Sequence, residues 1–507
     1  MMKRLVKINI LLAAAAAILA AACTKEPEMP YSKIEKRSLH AWMQKNRPDL
    51  LENYQQEGEY YVEVLEQGIA DSASIHSVLQ DDEQGECWVS FNVTGRNLEG
   101  DVFLTRQEQT ARMEGTFTKY THYVPYMRYI GAGRISILEG TYLAMANVLK
   151  IGGSELEVRC GTKLRLYLPS SVTGGNTGLT GEGGYEGSYS LDGNRPAIIE
   201  MQVVDRVNNP VAYEAALVDG FGDANGGISP VKEVEEGDED SDDDDDDDDR
   251  EEEDDGMAWR HACDTIPGLL VTKRYIPDAG QGFDMAFSYN RGTEEAPAIH
   301  RNSVYSDSGV YASLAELDSK INAAITERFG QGQTGGEKVG TEGTAKIWYI
   351  GRFLDGFIFD SNIDEVRELI YGTGETSRTA ISYSPEKDKD NLITAWYYSV
   401  PEMRYGQWYA IATTSTFAYG ATGQSGTTTT TTSGGTSYAY MPFYDYYNSY
   451  YGNSYYNNYY YNYYNYYNYY GGGYESTPTT TTTTISTEIQ SYTPLLFILY
   501  IEPQDQN

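Results

Sequence analysis

The chain has 507 residues, enough for about two to four domains that each bury a core, and its 38 basic and 74 acidic residues give a formal net charge of −36. A chain of this charge has no basic stripe that could neutralise phosphates, which excludes nucleic acid as the expected partner. The charge is concentrated: 19 acidic residues and one arginine lie between Glu233 and Asp255, and they supply half of it.

The N-terminus has the pattern of a bacterial export signal. Lys3, Arg4 and Lys7 precede an apolar, alanine-rich run that is too short for a persistent membrane anchor. The ending "LAAAC" at Cys23 resembles the lipobox of bacterial lipoproteins. We predict a signal peptide over residues 1–22, lipidation of Cys23 and a tether over 23–30, with plain secretion and a free cysteine as the alternative. The resemblance implies membrane attachment as an outer-membrane lipoprotein, on either its periplasmic or its surface face.

The first globular region is predicted to span residues 31–230. A helix from about Ile34 to Lys45 opens it, and strand-like segments follow, among them "CWVSFNV" and "LEVRC". These two segments carry Cys87 and Cys160. With Cys23 lipidated, three cysteines remain, and an odd number cannot all pair within one chain. One disulfide bridge between Cys87 and Cys160 is possible, and two buried free thiols are the alternative.

Metal and cofactor sites are not expected. None of the cysteines has the Cys-x-x-Cys spacing of a zinc or redox site, and the five histidines are scattered without the i, i+4 spacing of a metal-binding helix. A hydrolase is set aside as well, because no Ser-His-Asp constellation or cluster of catalytic carboxylates is evident.

An acidic segment over residues 231–256 is predicted to be a disordered linker, because a run of like charges repels itself and cannot bury a core. Calcium binding is the alternative function for such a run. The spacing of Asp238, Asp240 and Asp242 begins like a calcium loop but lacks its glycine and its terminal glutamate. The linker interpretation is therefore favoured.

The second region, residues 257–507, has the element order of an α+β domain. Ser313 and Glu316 form a capping box before a helix of about fifteen residues. "AKIWYIGRFLDGFIFDS" then predicts two strands joined around Asp355 and Gly356, and a short helix follows Trp396. "QWYAIATT" and "TPLLFILYI" are further strands. This order predicts a curved antiparallel sheet wrapped on one helix.

The same segments resemble the FKBP-type peptidyl-prolyl isomerases. "IWYIG" and "GFIFD" match the family pattern V-x-Y-x-G followed by G-x-x-F-D, and "LITAW", "EMRYG" and "FAYG" match V-I-x-G-W, M-x-x-G and A-Y-G. The last pocket position falls in "TPLLF". The matched positions are Tyr349, Phe359, Asp360, Leu392, Ile393, Trp396, Met403, Gly406, Tyr419, Gly420 and Phe497.

The resemblance implies a proline pocket without a cofactor. Its catalytic residues are Tyr349, Phe359, Asp360, Ile393, Trp396, Tyr419 and Phe497. Trp396 forms the floor, the Ile393 amide and the Tyr419 hydroxyl are the hydrogen-bond donors, and Asp360 is the polar edge; the other three aromatic residues are the walls. The alternative is that the aromatic side chains only fill a core.

Three departures from the family concern the activity more than the fold. The basic residue that often stands five positions after the aspartate is Glu365, although Arg367 is close by. About fourteen extra residues lie between Leu369 and Leu392, and the histidine common after A-Y-G-A-T-G is Gln424. A domain that binds without catalysing is therefore the alternative.

The first region resembles a degenerate copy of the same domain. "FNVTGRNLEGDVFLT" repeats the ten-residue step from Tyr349 to Phe359 as Val93 to Phe103, and "RPAIIEMQVVD" resembles the closing strand. The predicted pocket positions are Val93, Leu104, Thr141, Thr173 and Ile199. Because these residues replace the floor tryptophan and the donor tyrosine, no catalysis is expected here. The prediction is two FKBP-like domains joined by the acidic linker.

A low-complexity insert over residues 425–491 replaces the loop that overhangs the pocket in the family. Its flanks are rich in threonine, and 19 of the 46 tyrosines fall between Tyr438 and Tyr474. Its Tyr/Asn-rich sequence is expected to be disordered. A tolerated passenger and a segment that grips client proteins are equal alternatives.

Two functional hypotheses follow. The first is a prolyl isomerase of the bacterial envelope that acts on proline-containing exported polypeptides, with activity only in the core at residues 340–502. The second is a catalytically inactive FKBP-like chaperone, scaffold or surface-binding lipoprotein.

Overall fold

The computed structural model describes residues 31–81, 85–117, 121–131, 134–135, 138–180, 190–229, 259–261, 269–272, 287, 314–330, 336–371, 378–385, 392–433 and 480–504. The predicted signal peptide, Cys23, the acidic segment at 231–256 and the Tyr/Asn-rich centre of the insert lie outside the described residues.

The described residues form helices and mostly antiparallel strands. The helices are α1 (Tyr31–Asn46), α2 (Ile75–Leu79), α3 (Glu108–Met113), α4 (Glu139–Ala146), α5 (Pro210–Ala224), α6 (Leu314–Phe329), α7 (Asp364–Tyr371) and α8 (Thr394–Ser399). The strands up to residue 207 are β1 (Tyr54–Gln55), β2 (Tyr60–Glu66), β3 (Glu86–Asn97), β4 (Val102–Thr105), β5 (Tyr126–Gly131), β6 (Arg134–Ile135), β7 (Leu149–Ile151), β8 (Ser154–Leu156), β9 (Lys163–Leu168), β10 (Leu179–Thr180), β11 (Ser190–Leu191) and β12 (Ala197–Val207). The later strands are β13 (Trp259–His261), β14 (Leu269–Thr272), β15 (Ala345–Phe353), β16 (Ile358–Ser361), β17 (Ile381–Tyr383), β18 (Trp408–Thr413), β19 (Thr427–Ser433), β20 (Thr480–Ser486) and β21 (Leu495–Ile501).

Two large sheets share one topology. The first has the order β1-β2-β9-β12-β3-β5-β6 with β4 also on β3, and the second has the order β13-β14-β18-β21-β15-β16 with β17 also on β15. The register agrees as well, because Gly95 of β3 pairs with Ile199 of β12 just as Gly351 of β15 pairs with Phe497 of β21. The predicted pair of related α+β domains, each with an antiparallel sheet, is confirmed.

The second sheet is covered on both faces. All seven residues of β21, "LLFILYI", are buried, which explains why this strand is continuously apolar rather than alternating. Successive side chains of a strand point to opposite faces. Phe497 therefore lies on the face that holds α8, whereas Leu496 contacts the cluster formed with α5 on the opposite face.

Helix α5 belongs to the second sheet, although the predicted boundary at residue 230 placed it in the first domain. Its Val218 and Phe221 pack in one cluster with Trp259 and Leu270. Only two residues separate the end of β12 from the start of α5. The prediction that the acidic linker joins the domains therefore needs correction: the acidic segment stands between α5 and β13, within the second domain. Composition marks the charge run, but only packing shows which sheet a helix covers.

Helix α1 has the same place on the first sheet. Its Leu39 and Met43 are buried against Tyr61 of β2 and Tyr167 of β9. Each domain thus begins with a helix that covers the face of the sheet opposite the short internal helix. The predicted helix at about residues 34–45 is confirmed and extends to Tyr31–Asn46.

The two domains are in direct contact. His122, before β5, places Nε2 2.7 Å from Oδ2 of Asp355 in the turn between β15 and β16. The side chain of Gln490 donates to the carbonyl of Pro125 and accepts from the amide of Met127, both at 3.1 Å. The first domain therefore holds the chain segment that returns from the insert to β21.

None of the helices in the part of the chain that the structure describes is long and apolar enough to cross a lipid bilayer. Both described cysteines, Cys87 and Cys160, are free thiols, the former buried and the latter partly exposed.

Candidate functional site

Three neighbouring strands bring aromatic side chains to the face of the second sheet that holds α8. Gly351 of β15 pairs with Asp360 of β16 on one side and with Phe497 of β21 on the other. Phe359 and Phe497 then meet edge to face, with ring centroids 5.8 Å apart. Ring pairs at this distance and angle are favourable beyond their buried area.

A glycine is needed beneath this cluster. A Cβ atom at Gly351 would lie 2.5 Å from Cζ of Phe359, closer than any real contact, so the phenyl ring occupies the space of the missing side chain. Gly95 has the same relation to Phe103 in the first domain, at 2.6 Å. This close approach explains the glycine two residues after Tyr349 in the sequence.

Trp396 closes the base of the site from α8. Its ring is 5.2 Å from that of Tyr349 and 5.4 Å from that of Phe497, both near edge to face, and the residue is only 2 % exposed. The indole Nε1 is buried and finds no hydrogen-bond acceptor among the described residues. A buried donor of this kind is uncommon in folded proteins.

The polar edge of the site is a short chain of charge-assisted hydrogen bonds. The Tyr349 hydroxyl donates to Oδ2 of Asp360 at 2.6 Å, and Nη1 of Arg367 donates to Oδ1 at 2.8 Å. Burial, with the nearby Asp360 charge, raises the pKa of Tyr349 well above its usual value. Asp360 is only partly buried, so its carboxylate is held in place at the rim.

Tyr419 follows a tight turn, Ser415–Phe417, in the 3-10 conformation. The amides on either side of Tyr419, those of Ala418 and Gly420, both donate to the Ser415 carbonyl at 2.8 Å. Burial and then the Asp360 charge raise the pKa of Tyr419 to about 12. Its hydroxyl therefore keeps its proton at neutral pH and can donate a hydrogen bond.

Ile393 precedes the first turn of α8 in a non-helical conformation, with φ −56° and ψ 127°. Its side chain packs against the same core as Trp396, and its carbonyl accepts the Trp396 amide at 2.9 Å. Leu138 takes almost the same conformation before α4, with φ −57° and ψ 132°. The backbone at this entry point is thus shared by both domains.

The structure brings the seven predicted residues to one place. Direct contacts or strand pairing join Tyr349, Phe359, Asp360, Trp396 and Phe497, and Ile393 and Tyr419 pack against the same cluster. Trp396, Phe359 and Phe497 form the buried base, whereas the other four are partly exposed. The site therefore has an aromatic base and a polar rim.

Arg367 is the partner of Asp360, whereas the sequence pattern points to position 365. Helix α7 begins at Asp364, so Arg367 lies one turn into the helix and reaches back to the aspartate. Glu365 pairs instead with Arg328 of α6, Oε2 to Nη1, at 2.6 Å. The start of α7 at Asp364 decides which of its side chains points back to Asp360, and the spacing of the sequence motif alone does not give this.

Replacing Arg367 with leucine is expected to lower the free energy of unfolding by about 3 kcal/mol and to reduce turnover, because Asp360 loses its buried cation. Glu365→Gln is the control, since its ion pair with Arg328 is partly exposed and is worth less than about 1 kcal/mol. Urea unfolding of both variants measures the difference. Equal losses would contradict the assignment of Arg367 as the partner.

The first domain lacks the carboxylate and the tyrosine hydroxyls of this site. Val93, Leu104 and Ile199 occupy the register positions of Tyr349, Asp360 and Phe497. The tight turn Ser170–Val172 ends at Thr173 with φ −127° and ψ −108°, which matches Ala418 with φ −128° and ψ −106°. Gly174 therefore stands where Tyr419 does, and the prediction of Thr173 for this position is wrong by one residue.

No protein-family model and no curated protein matches the chain. One similar solved structure is that of the three FKBP domains of wheat FKBP73, with 8 % sequence identity, a TM-score of 0.19, and coverage of 88 % of this chain and 95 % of that one. A second is a peptidyl-prolyl cis-trans isomerase of Pseudomonas syringae pv. tomato, with 15 % identity, a TM-score of 0.21, and coverage of 36 % of this chain and 99 % of that one. A third is AtFKBP13, with 13 % identity, a TM-score of 0.21, and coverage of 31 % of this chain and 98 % of that one. These overall similarities are weak and carry no argument about this chain. The strand order and the register described above show two copies of one α+β fold, and the aromatic residues that the sequence motifs single out lie together in the second copy.

Proposed function

We propose that the chain is a peptidyl-prolyl cis-trans isomerase whose activity resides in the second domain. The observation that carries the proposal is the arrangement around Trp396: an aromatic base closed by Phe497 and Tyr349, with the protonated hydroxyl of Tyr419 beside the Asp360 carboxylate. No nucleophile or metal is needed for this reaction.

The site suits a reaction that only rotates a bond. Rotation about an X-Pro bond faces a barrier of roughly 18 to 20 kcal/mol, because the amide loses its resonance when twisted. An aromatic base that accepts the proline ring also removes water from the amide, which favours the less polar twisted form. A donor such as the Tyr419 hydroxyl lowers the barrier if it binds the carbonyl more strongly in that form than in the planar one.

We further propose that the substrates are proline-containing exported polypeptides and that the protein acts in the bacterial envelope. The proposal rests on the export signal and on the lipobox-like ending at Cys23. Lipidation of Cys23 would attach the protein to the outer membrane. Mass spectrometry of the membrane-extracted chain tests this: the expected mature protein begins at a diacylated Cys23, and an unmodified cysteine there would contradict it.

The first domain is not expected to contribute isomerase chemistry. Gly174 provides no hydroxyl in place of Tyr419, and Thr141 stands where Trp396 does. All turnover is therefore assigned to the second domain. If the full chain prevents aggregation of unfolded proteins but shows no turnover, the inactive chaperone or scaffold is the better description.

The full-length chain is expected to accelerate the proline-limited refolding of a test protein, and variants of the site should lose this activity. Tyr419→Phe removes one hydrogen bond, so about a tenfold fall in kcat/KM is expected, equivalent to about 1.4 kcal/mol. Trp396→Leu removes the base and should cost more than tenfold. A tetrapeptide with one X-Pro bond gives the same comparison without a folding step.

Tyr398→Phe is the matched control, because Tyr398 lies on the same helix as Trp396 but is 48 % exposed. It should turn over like the parent protein, and circular dichroism should show all variants folded. Two outcomes would overturn the proposal: no acceleration by the intact chain, or acceleration that neither Trp396→Leu nor Tyr419→Phe reduces.

A further inference from the structure

A buried glutamate recurs at the same place in both domains. On α1, Glu35 accepts the Ser170 amide and the Ser170 hydroxyl, both at 2.6 Å. On α5, Glu214 accepts the Ser415 amide at 3.2 Å and shares a 2.7 Å hydrogen bond with the Ser415 hydroxyl. Glu35 and Glu214 are 5 % and 0 % exposed. Each glutamate thus ties the opening helix of its domain to a tight turn after a central strand.

In the second domain this turn carries Tyr419. The Ser415 carbonyl accepts the amides of Ala418 and Gly420, which flank the tyrosine. Glu214 fixes Ser415, and Ser415 in turn fixes the backbone on both sides of Tyr419. No other residue of α5 makes a hydrogen bond to this turn among those described.

We infer that Glu214 is a positioning residue for the isomerase site: it holds the turn so that the Tyr419 hydroxyl is aimed at the substrate carbonyl. This inference rests on the proposed function of the second domain. A donor that is held in one orientation before the substrate binds stabilises the twisted amide more than a mobile one, because no reorganisation is needed during the reaction.

The first domain provides a built-in comparison. It keeps the glutamate and the serine but has Gly174 in place of Tyr419. The shared bond therefore serves the fold in both domains, and only the second domain can use it to orient a donor. A substitution of Glu35 therefore tests only the effect of this bond on the fold. A substitution of Glu214 tests its effect on the fold and its effect on the orientation of the Tyr419 hydroxyl.

Glutamine is the conservative replacement for Glu214, because it resembles a protonated glutamate. Burial raises the pKa of Glu214 to about 7, so near neutral pH much of the protein carries a protonated carboxyl, which glutamine resembles in shape and hydrogen bonding. Glutamine can accept the Ser415 amide and donate to the Ser415 hydroxyl. Alanine can do neither, and it leaves both groups buried without this partner.

The test measures kcat and KM of the full-length chain with an X-Pro tetrapeptide. Glu214→Ala should lower kcat about tenfold with KM changed less than about twofold, which is the pattern for loss of an interaction made mainly in the transition state. Glu214→Gln should recover turnover to within about threefold of the parent. Glu35→Ala should leave both constants unchanged.

Two further variants separate positioning from simple destabilisation. Glu214→Ala combined with Tyr419→Phe should turn over like Tyr419→Phe alone, because both changes remove the same interaction. If Glu214→Ala does not fold, Ser415→Ala removes only the hydroxyl contact and should still lower kcat, with Ser170→Ala as its control. The inference would be overturned if the losses of kcat from Glu214→Ala and Tyr419→Phe were additive in the double variant. It would also be overturned if Ser170→Ala lowered kcat as much as Ser415→Ala.

A readout without turnover keeps this inference distinct from the proposed function. In the full chain with isotope-labelled tyrosine, Glu214→Ala or Ser415→Ala should shift and broaden the Tyr419 ring resonances, and Glu35→Ala or Ser170→Ala should not. Unchanged Tyr419 resonances would overturn the positioning role even in an active enzyme. Shifted resonances in a protein without isomerase activity would refute the proposed function and leave the structural coupling intact.

Discussion

A fragment that begins at residue 257 is expected to fail to fold, whereas a fragment that begins at Asn208 folds. The shorter fragment lacks α5, and with it the buried side chains of Val218 and Phe221 and the cap that Glu214 provides. Burying one large apolar side chain is worth about 1.5 to 3 kcal/mol. The total loss approaches the 5 to 15 kcal/mol that stabilises a typical domain, and Trp259 would lose much of its cover.

Circular dichroism and thermal unfolding of residues 208–507 and 257–507 check this expectation. The longer fragment should unfold in a cooperative transition and the shorter one should not. A synthetic peptide of residues 208–229 added to the shorter fragment should restore part of the transition, because it supplies the missing helix. Equal melting temperatures for the two fragments would show that the domain begins after the acidic segment, as composition predicts.

Replacing Arg352 with alanine is expected to have the second large effect. The residue is 0 % exposed, lies on the α6 side of β15, and places Nη2 2.7 Å from Oδ1 of Asp318 on α6. Removing one member of a buried ion pair leaves the other charge without its partner in an apolar surrounding, which typically costs about 3 to 5 kcal/mol. The helix that covers this face of the sheet should then loosen.

Arg96→Ala in the first domain is the matched control. Arg96 stands at the same register position of its sheet as Arg352, but its bond to Glu114 joins side chains that are 35 % and 31 % exposed. An exposed pair of this kind is worth roughly 0 to 1 kcal/mol. Urea unfolding of each variant provides the comparison, and similar losses at the two positions would contradict the ranking by burial.

Replacing both members of the buried pair gives a sharper version of the test. Arg352→Met with Asp318→Leu leaves no uncompensated charge, so the double variant should be more stable than Arg352→Ala alone. A double variant as unstable as the single one would point to packing, rather than charge, as the cause of the loss.

Local sequence signals predict much of the second domain. Strand β15 has the bounds that the segment "AKIWYIGRF" predicts, and α6 and β21 fall where periodicity places them. The site is also largely predictable, because its aromatic residues lie in short motifs whose spacing reflects the register of three adjacent strands. The motifs specify local structure, because each one covers a single turn and the pair of strands that the turn joins.

Other features depend on contacts between residues far apart in the chain. Composition places the domain boundary at the acidic segment, but the packing of Phe221 on Leu270 assigns α5 to the second sheet. The ion pair of Asp360 depends on the starting point and phase of α7, which bring Arg367 to the aspartate and turn Glu365 toward Arg328. The counterpart of Tyr419 in the first domain depends on the geometry of one turn, which selects Gly174 over Thr173.

The sequence by itself determines the α+β class, the tandem arrangement and the residues of the aromatic site, because alternation, helical periodicity and motif spacing are written in neighbouring residues. Only the tertiary structure decides that α5 opens the second domain and that Glu214 reaches Ser415, 201 positions away. It also decides that the first domain contacts the segment returning from the insert. The physical reason is that burial and hydrogen bonding between distant segments are properties of the packed chain, and no local pattern specifies which partner a buried group will meet.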